Sequence, residues 1–435
     1  MTQANASRPS VAIIGAGWAG LACALGLARA GYAPLVFESA PEPGGRARRA
    51  KLDNTFRDNG QHLMLAGCKA LSALFKDIGL SMPRTPFAFT GERRGLSLVH
   101  GRGRIGLLLA LYRAPGFSMK ERWALMRALL GLQLRGWQVA EDETVAQWLE
   151  MRQQPPTLIE HFWTPLALAV LNTPIEIAAM SKLAPVLRDT LGRGAAALDI
   201  LQPTADLSAS VVTALVRTLE SQGGQVHCGQ RVTAVASTTD GRYVLTLQHS
   251  AAAPIFDHLV LAVPPWSLAH IDLPFDTASL TDAFGTQPIA TVYFGFEDGV
   301  RLPAPLMQIT GPTEADARIW AIDRAHCGEP GVIALSLSAD GPWTQLDHEG
   351  LAKRCLNHLQ ASLGMPLHAH WHKVVMVRKA TPAATPQAKI SAAERHPLPG
   401  LWLSGDWTHP VYPATLEAAV AAGFAVAEEI IVADS

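Results

Sequence analysis

The hydrophobic pattern fixes both ends of this chain before any chemistry is considered. Val11–Ile14 is a short, fully apolar run, suited to a strand buried on both faces. The small and apolar stretch that follows reads as a helix, and Pro34 to Phe37 as a second strand that ends on Glu38. Near the C-terminus, Leu401 to Leu403 form a last apolar run, and Pro413-Ala414-Thr415 opens an Ala-rich helix. In between, "GGQVHCGQRVTAVASTTDGRYVLTLQ" alternates like a β-meander turning at Asp240-Gly241, and "FDHLVLAVPPW" returns to a buried strand. A strand–helix–strand unit that later segments rejoin predicts an α/β fold with a Rossmann-like domain. That domain is expected to be discontinuous, from residues 1–75, 210–268 and 385–435. A second α+β domain, also discontinuous, would take 76–209 and 269–384 and bind substrate.

The turn after the first strand is Gly15-Ala16-Gly17-Trp18-Ala19-Gly20, a G-x-G-x-x-G. The first glycine allows the turn, the second lets the backbone approach a pyrophosphate, and the third lets helix and strand pack closely. Glu38 stands 23 positions after Gly15, where a carboxylate accepts ribose hydroxyls and disfavours a 2′-phosphate. Two further segments select FAD over a nicotinamide cofactor. Gly44-Gly45 permits a second close backbone approach, with Arg46 in reach of a phosphate. Gly405-Asp406 and the helix opened by Ala414 and Thr415 would return to the flavin end, where a helix N-terminus favours an anionic reduced ring. Val232 sits where an adenine-contacting strand is expected. No cysteine lies between Pro413 and Glu417, so the flavin is expected to be non-covalent.

Composition narrows the partners. Lys plus Arg number 36 and Asp plus Glu 37, so no basic excess points to nucleic acid. Only 17% of the residues are charged and 49% are hydrophobic, which implies an unusual apolar surface or cavity. The five cysteines are scattered without a C-x-x-C pair, against a disulfide framework or a zinc site, and a reducing compartment fits. The uncharged run from Ser10 to Ala28 could pass for a signal sequence, but its glycine spacing marks it as part of the cofactor turn. No metal site is expected.

The segment 102–137 combines cationic and apolar residues. Trp123, Met126, Leu130, Leu134 and Trp137 recur at helical spacing, with Lys120, Arg122, Arg127 and Arg135 against the single acid Glu121. Such a helix reads either as a membrane-surface element or as an ordinary core helix.

Several stretches together resemble one family. "GAGWAGLA", "GGRARR", "LDNTFRDNGQHLML", "FWTPLALAVLNTP", "VLRDTL", "LQPTADLS", "LAVPPW", "IWAIDRA", "KATPAATP" and "GDWTHPVYPATLEAAV" are similar to the squalene-associated FAD-dependent desaturase-like proteins, the hydroxysqualene dehydroxylases. These lie within the flavin amine oxidase/phytoene desaturase superfamily. The resemblance covers nearly the whole chain, with one departure: Pro382 stands where an aromatic residue is expected after "KAT". It implies reduction of an allylic C30 alcohol, hydroxysqualene, to squalene, with hydride from reduced FAD and loss of water. It also implies a lipid substrate, squalene-pathway enzymes as neighbours, and a cytoplasmic protein peripheral to the inner membrane.

Hydroxide leaves poorly, so such a reaction needs a proton donor. The knot Asp58-Asn59-Gly60-Gln61-His62 follows the Gly-Gly loop and should lie near the flavin. Asp58 and His62 carry two open readings, proton donors or anchors for the loop and the flavin edge. Gly60 would let backbone approach the ring, and Gln61 would bond its edge. Tyr412 is a third candidate, as donor or as a wall for the cation, with Trp407 and His409 beside it. A polyene desaturase, an amine oxidase and a non-catalytic flavin-binding partner remain as alternatives.

Overall fold

The computed structural model describes residues 8–52, 55–91, 96–97, 112, 116–250, 253–309 and 319–435. Its first layer is a five-stranded parallel sheet in the order Gln225–Cys228, Leu35–Glu38, Val11–Ile14, His258–Leu261, Leu401–Leu403. Every strand on the central axis is covered on both faces, which is why these runs are apolar without alternation. The helices Trp18–Arg29 and Leu416–Ala433 lie against each other over one face. Their contact is a meeting of small residues: a methyl built on Gly423 would collide with the Ala19 carbonyl, and one on Gly26 would lie 2.8 Å from Ala427 Cβ. The expected meander is a three-stranded antiparallel sheet, Val232–Ser237, Tyr243–Leu247 and Ile255–Phe256, packed on the opposite face.

A seven-stranded sheet builds the second half of the molecule. Its order is Trp371–Pro382, Thr286–Gly295, Val332–Ser338, Ile319–Asp323, Leu306–Ile309, Ala88–Gly91, Leu96–Ser97. Because side chains alternate along each strand, one face (Ala290, Val292, Leu335, Leu337) packs on the helix His348–Leu363. The other face (Ile289, Ser336, Trp320, Leu306) floors a cavity of ≈ 910 Å³. Helical segments roof it. The chain winds through a π-turn at Ile159–Trp163 into Thr164–Leu171, and Met180–Asp189 follows. The motif "LNTP" ends the helix Thr164–Leu171: Asn172 takes φ 46° as its C-cap, and Thr173 donates to the Leu171 carbonyl. Asn172 binds Thr381 Oγ1 and the Ala339 N–H, tying roof to floor.

The segment 102–111 and 113–115 lies outside the described residues. The rest of that region is the helix Met119–Leu134, whose buried face is Ala124, Leu125, Ala128, Leu129 and Leu132. Trp123, Leu130 and Leu134 share the opposite, exposed face, as their spacing predicts. Trp137 does not. The helix ends at Leu134, Gly136 and Trp137 both turn to positive φ, and the Trp137 ring folds back onto Gly192. Met126 is half-buried.

Candidate active site

The cavity runs without a break from the glycine turn to the hydrocarbon-like floor and roof. At its first end two glycine loops meet. Gly15 has φ +107°, and a methyl there would lie 2.6 Å from the Ala262 carbonyl oxygen. A methyl on Gly20 would collide with the Gly15 carbonyl. Gly44 N–H donates to the Ala16 carbonyl at 2.8 Å, and a methyl on Gly45 would stand 2.9 Å from Gly17 Cα. Trp18 and Ala19 begin the helix and line the cavity. Glu38 is 9% exposed, and its carboxylate accepts from the N–H groups of Ala16 and Ala40, both at 2.8 Å. Oε1 also accepts from the Ser39 hydroxyl at 3.4 Å, and Oε2 keeps a lone pair for a ribose hydroxyl. Val232 lines the same end, where Gln230 N–H donates to the Glu38 carbonyl.

The C-terminal segment closes the cradle. Arg46 spans it, donating to Asp406 Oδ1 at 2.6 Å and to the Ala380 carbonyl at 3.1 Å. Gly405, Ala414 and Thr415 line the cavity, and Thr415 caps the last helix by accepting from Ala418 N–H. Glu417 in the first turn of that helix caps another one, accepting from the N–H groups of Ala70 and Leu71. Three buried side-chain atoms in this cradle have no protein partner: Trp18 Nε1, Asn59 Oδ1 and His62 Nε2. A cradle of close backbone loops, a carboxylate at the second strand end and unsatisfied polar atoms facing inward fits a dinucleotide with a polar ring system.

The knot at residues 58–62 lies where the cradle meets the apolar part of the cavity. Asp58 is 4% exposed; burial pushes its carboxyl up to about 6, against the pull of the Leu207 N–H and of Arg324. Its Oδ1 accepts from Leu207 N at 2.8 Å, and its Oδ2 stands 3.7 Å from Arg324 Nη1. Tyr293, on the cavity side of the large sheet, donates its hydroxyl to the Asp58 carbonyl at 2.7 Å. Gln61 is held on both ends of its amide, donating to Tyr293 Oη at 2.8 Å and accepting from Arg324 Nη1 at 3.3 Å. Arg324 in turn pairs with Glu329, which also pairs with Arg57. His62 goes the other way: burial and the nearby Arg46 charge lower it to about 4, so the ring is neutral at pH 7. A methyl on Gly60 would lie 3.7 Å from His62 Nε2.

Tyr412 lines the cavity, but its hydroxyl is committed to Asp189 Oδ2 at 2.6 Å. Asp189 also binds Arg188 and Arg193, and burial with this carboxylate pushes the Tyr412 phenol up to about 12. His409 stacks on the Tyr412 ring and accepts from the Tyr412 N–H; burial, Lys182 and Arg395 hold it at about 4. Trp407 donates to the Val263 carbonyl. Tyr293, Arg324 and Asp189 have no pattern of their own in the sequence. The only signal for the last two is that they fall inside the distinctive stretches "IWAIDRA" and "VLRDTL".

Comparison with known proteins places this geometry. The chain is 28% identical over 444 residues to a hydroxysqualene dehydroxylase of Rhodopseudomonas palustris, covering 98% of this chain and 99% of that one. It is 26% identical to a hydroxysqualene dehydroxylase of Zymomonas mobilis, covering 96% and 97%. A 15-cis-phytoene desaturase of Glycine max is 22% identical, over 97% of this chain and 79% of the other. Among solved structures, a wild-type putrescine oxidase bound to putrescine superposes with a TM-score of 0.73 at 16% identity, covering 98% and 99%. The cyclohexylamine oxidase of Brevibacterium oxydans gives 0.70 at 15%, with the same coverage. These structures establish the flavin amine oxidase fold, with its Rossmann-like cofactor half. The model of the flavin containing amine oxidoreductases matches residues 18–431. The chain is an oxidoreductase of the flavin containing amine oxidoreductase family, and its cofactor is FAD.

Proposed function

We propose that this enzyme reduces the allylic alcohol hydroxysqualene to squalene, within squalene and hopanoid biosynthesis. The observation that carries the reading is the cavity: a wall of Phe87, Phe162, Leu166, Ile289, Leu306 and Val377 continuous with the flavin cradle, with the ionisable 58–62 loop and the Tyr412–Asp189 pair also lining it. Similarity to hydroxysqualene dehydroxylases over the full chain supports it. The net change is gain of one hydride and one proton by the alcohol and loss of one water. Bound and reduced, FAD supplies the hydride.

The chain's own residues supply the rest. Gly15, Gly17, Gly20, Gly44 and Gly45 let the backbone close on the cofactor, while Glu38, Arg46, Val232, Gly405, Asp406, Ala414 and Thr415 hold it. Trp18, Ala19, Gly60 and Gln61 border it, and neutral His62 offers its unpartnered nitrogen to a hydrogen bond there. Asp58 holds the proton that converts the leaving hydroxide into water: a carboxyl at about 6 is half-protonated near that pH and strong enough to donate. Arg324 sets its charge and Tyr293 its backbone. Tyr412, bound to Asp189, shapes the wall rather than supplying a proton. The apolar wall keeps water from an allylic cation. We assign the cofactor half to residues 1–75, 210–268 and 385–435, and the substrate half to 76–209 and 269–384.

We also propose that the protein rests on the cytoplasmic surface of the inner membrane. Among the described residues no helix is long and apolar enough to cross a bilayer. The outer face of Met119–Leu134 instead exposes Met119 (46%), Trp123 (67%), Leu130 (43%) and Leu134 (87%), beside Lys120 and Arg127. Apolar anchors flanked by cations suit an anionic lipid interface. The test of function is anaerobic photoreduction of the holoenzyme followed by hydroxysqualene. Flavin reoxidation with formation of squalene is expected. Turnover of a polyene by the oxidised enzyme, with none of the alcohol by the reduced enzyme, would establish a desaturase instead.

A further inference from the structure

The cavity floor is largely apolar, and one line of residues with polar groups crosses it. In the large sheet the registers place Thr291 opposite Ser336, Ser336 opposite Trp320, and Trp320 opposite Gln308. These four stand side by side on four adjacent strands, on the face that carries the cavity-lining Ile289, Ile322 and Leu306. Each has a polar group. The row toward the flavin loop, Tyr293–Ala334–Ile322–Leu306, has only the Tyr293 hydroxyl, already engaged with Gln61 and Asp58.

Polar atoms in such a row normally bond one another or the backbone. These leave capacity unused. Thr291 is 0% exposed and Gln308 3%, yet Thr291 Oγ1 and Gln308 Nε2 have no hydrogen-bond partner. Ser336 lines the cavity, half-buried, and its hydroxyl makes no hydrogen bond within the described protein. A buried orphan hydroxyl at Thr291 directly beside the cavity-lining Ser336 hydroxyl costs stability unless a ligand or water completes the pair.

Resting on the function proposed above, we propose that the Thr291–Ser336 end of this row is a hydroxyl-recognition subsite for a long-chain allylic alcohol. Ser336 takes the substrate hydroxyl, with Thr291 behind it. Adjacent rows on one face are about 7 Å apart, so the hydroxyl is received within one row of the Tyr293–Gln61–Asp58 contact. Apolar residues lie on both sides of the row along the strands, Ile289 next to Ser338 on one and Ile322 and Leu306 on the other. The subsite therefore selects a hydroxyl set within a hydrocarbon chain rather than at its end.

The test uses the holoenzyme with oxidised FAD, which binds without turnover. Affinities for hydroxysqualene and for squalene, the same chain without the hydroxyl, are read from the flavin absorbance perturbation. In Ser336→Ala the ratio of alcohol to hydrocarbon affinity should fall about 2- to 10-fold, the worth of one hydrogen bond. Squalene binding should be unchanged or tighter. Thr291→Val, which keeps the shape, should lower the same ratio, and Thr291→Ser should restore it. An unchanged ratio in Ser336→Ala overturns the subsite and leaves the row to an ordered water only. Should Thr291→Val lose FAD or fold poorly, Ser336→Ala alone decides, since that side chain borders open cavity. Turnover of hydroxysqualene by the wild-type reduced enzyme is measured in parallel, so failure of the subsite and failure of the proposed reaction are separate results.

Discussion

Gly17→Ala separates the cofactor's requirements from the fold's. Gly17 has φ −73° and ψ 176°, extended backbone that alanine adopts freely. A methyl there would meet nothing nearer than Gly45 Cα at 3.9 Å, and it would enter the space between the two glycine loops. In the apoprotein the substitution should be neutral or stabilising by about 0.4–1 kcal/mol, because alanine loses less unfolded-state entropy than glycine. With FAD the same methyl occupies the close approach of backbone to pyrophosphate. Overpacking at a tight contact costs about 1–3 kcal/mol, which corresponds to an affinity loss of roughly 5- to 150-fold. Gly20→Ala is the contrast: its methyl would collide with the Gly15 backbone carbonyl, so the apoprotein itself should lose stability. Gly15→Val is uninformative, since φ +107° and the Ala262 carbonyl would break the turn with or without FAD. The assay is urea unfolding of deflavinated protein alongside FAD titration by quenching of flavin fluorescence. Wild-type FAD affinity in Gly17→Ala, or apoprotein destabilisation equal to that of Gly20→Ala, would refute the assignment of this loop to the pyrophosphate.

Asp58→Asn preserves the acceptor for the Leu207 N–H and removes only the proton, so FAD should stay bound while reoxidation by hydroxysqualene slows by roughly 10²–10⁴-fold; a wild-type rate would leave Asp58 as a loop anchor. Its carboxyl sits at about 6 when folded, against 3.8 ordinarily. The folded state thus binds more protons between these values, and stability should fall as pH rises from about 4 to about 6, by at most about 3 kcal/mol. Asp58→Asn should flatten that part of the profile. Replacing Trp123 and Leu134 together by Ser should abolish sedimentation with anionic liposomes while sparing activity on detergent-dispersed substrate, since both side chains point away from the core. Unchanged sedimentation would exclude this face as the membrane contact.

The sequence by itself determined the cofactor half. Strand, glycine turn, helix and terminal acid are consecutive, and each works through backbone conformation or a neighbour within about twenty residues, so spacing alone expresses them. The returning Gly405–Thr415 segment was legible for the same reason: it is another strand-to-helix turn. The outer face of Met119–Leu134 also follows from helical periodicity, but the periodicity could not say where the helix stops. Trp137 left that face because the chain turns to positive φ after Leu134 and packs the indole on Gly192. What only the tertiary structure decided is the chemistry of the groups. Asp58, His62 and Tyr412 were equivalent candidates as letters. Burial raises Asp58, burial with Arg46 lowers His62, and Asp189 ties up the Tyr412 hydroxyl. Asp189 lies 223 positions from Tyr412, and Arg324 lies 263 from Gln61. The polar row on the cavity floor is a property of strand register, four residues from four strands brought level. Charge state and hydrogen-bond partnership depend on what surrounds an atom, and that is settled by pairings between distant segments, which local spacing does not encode.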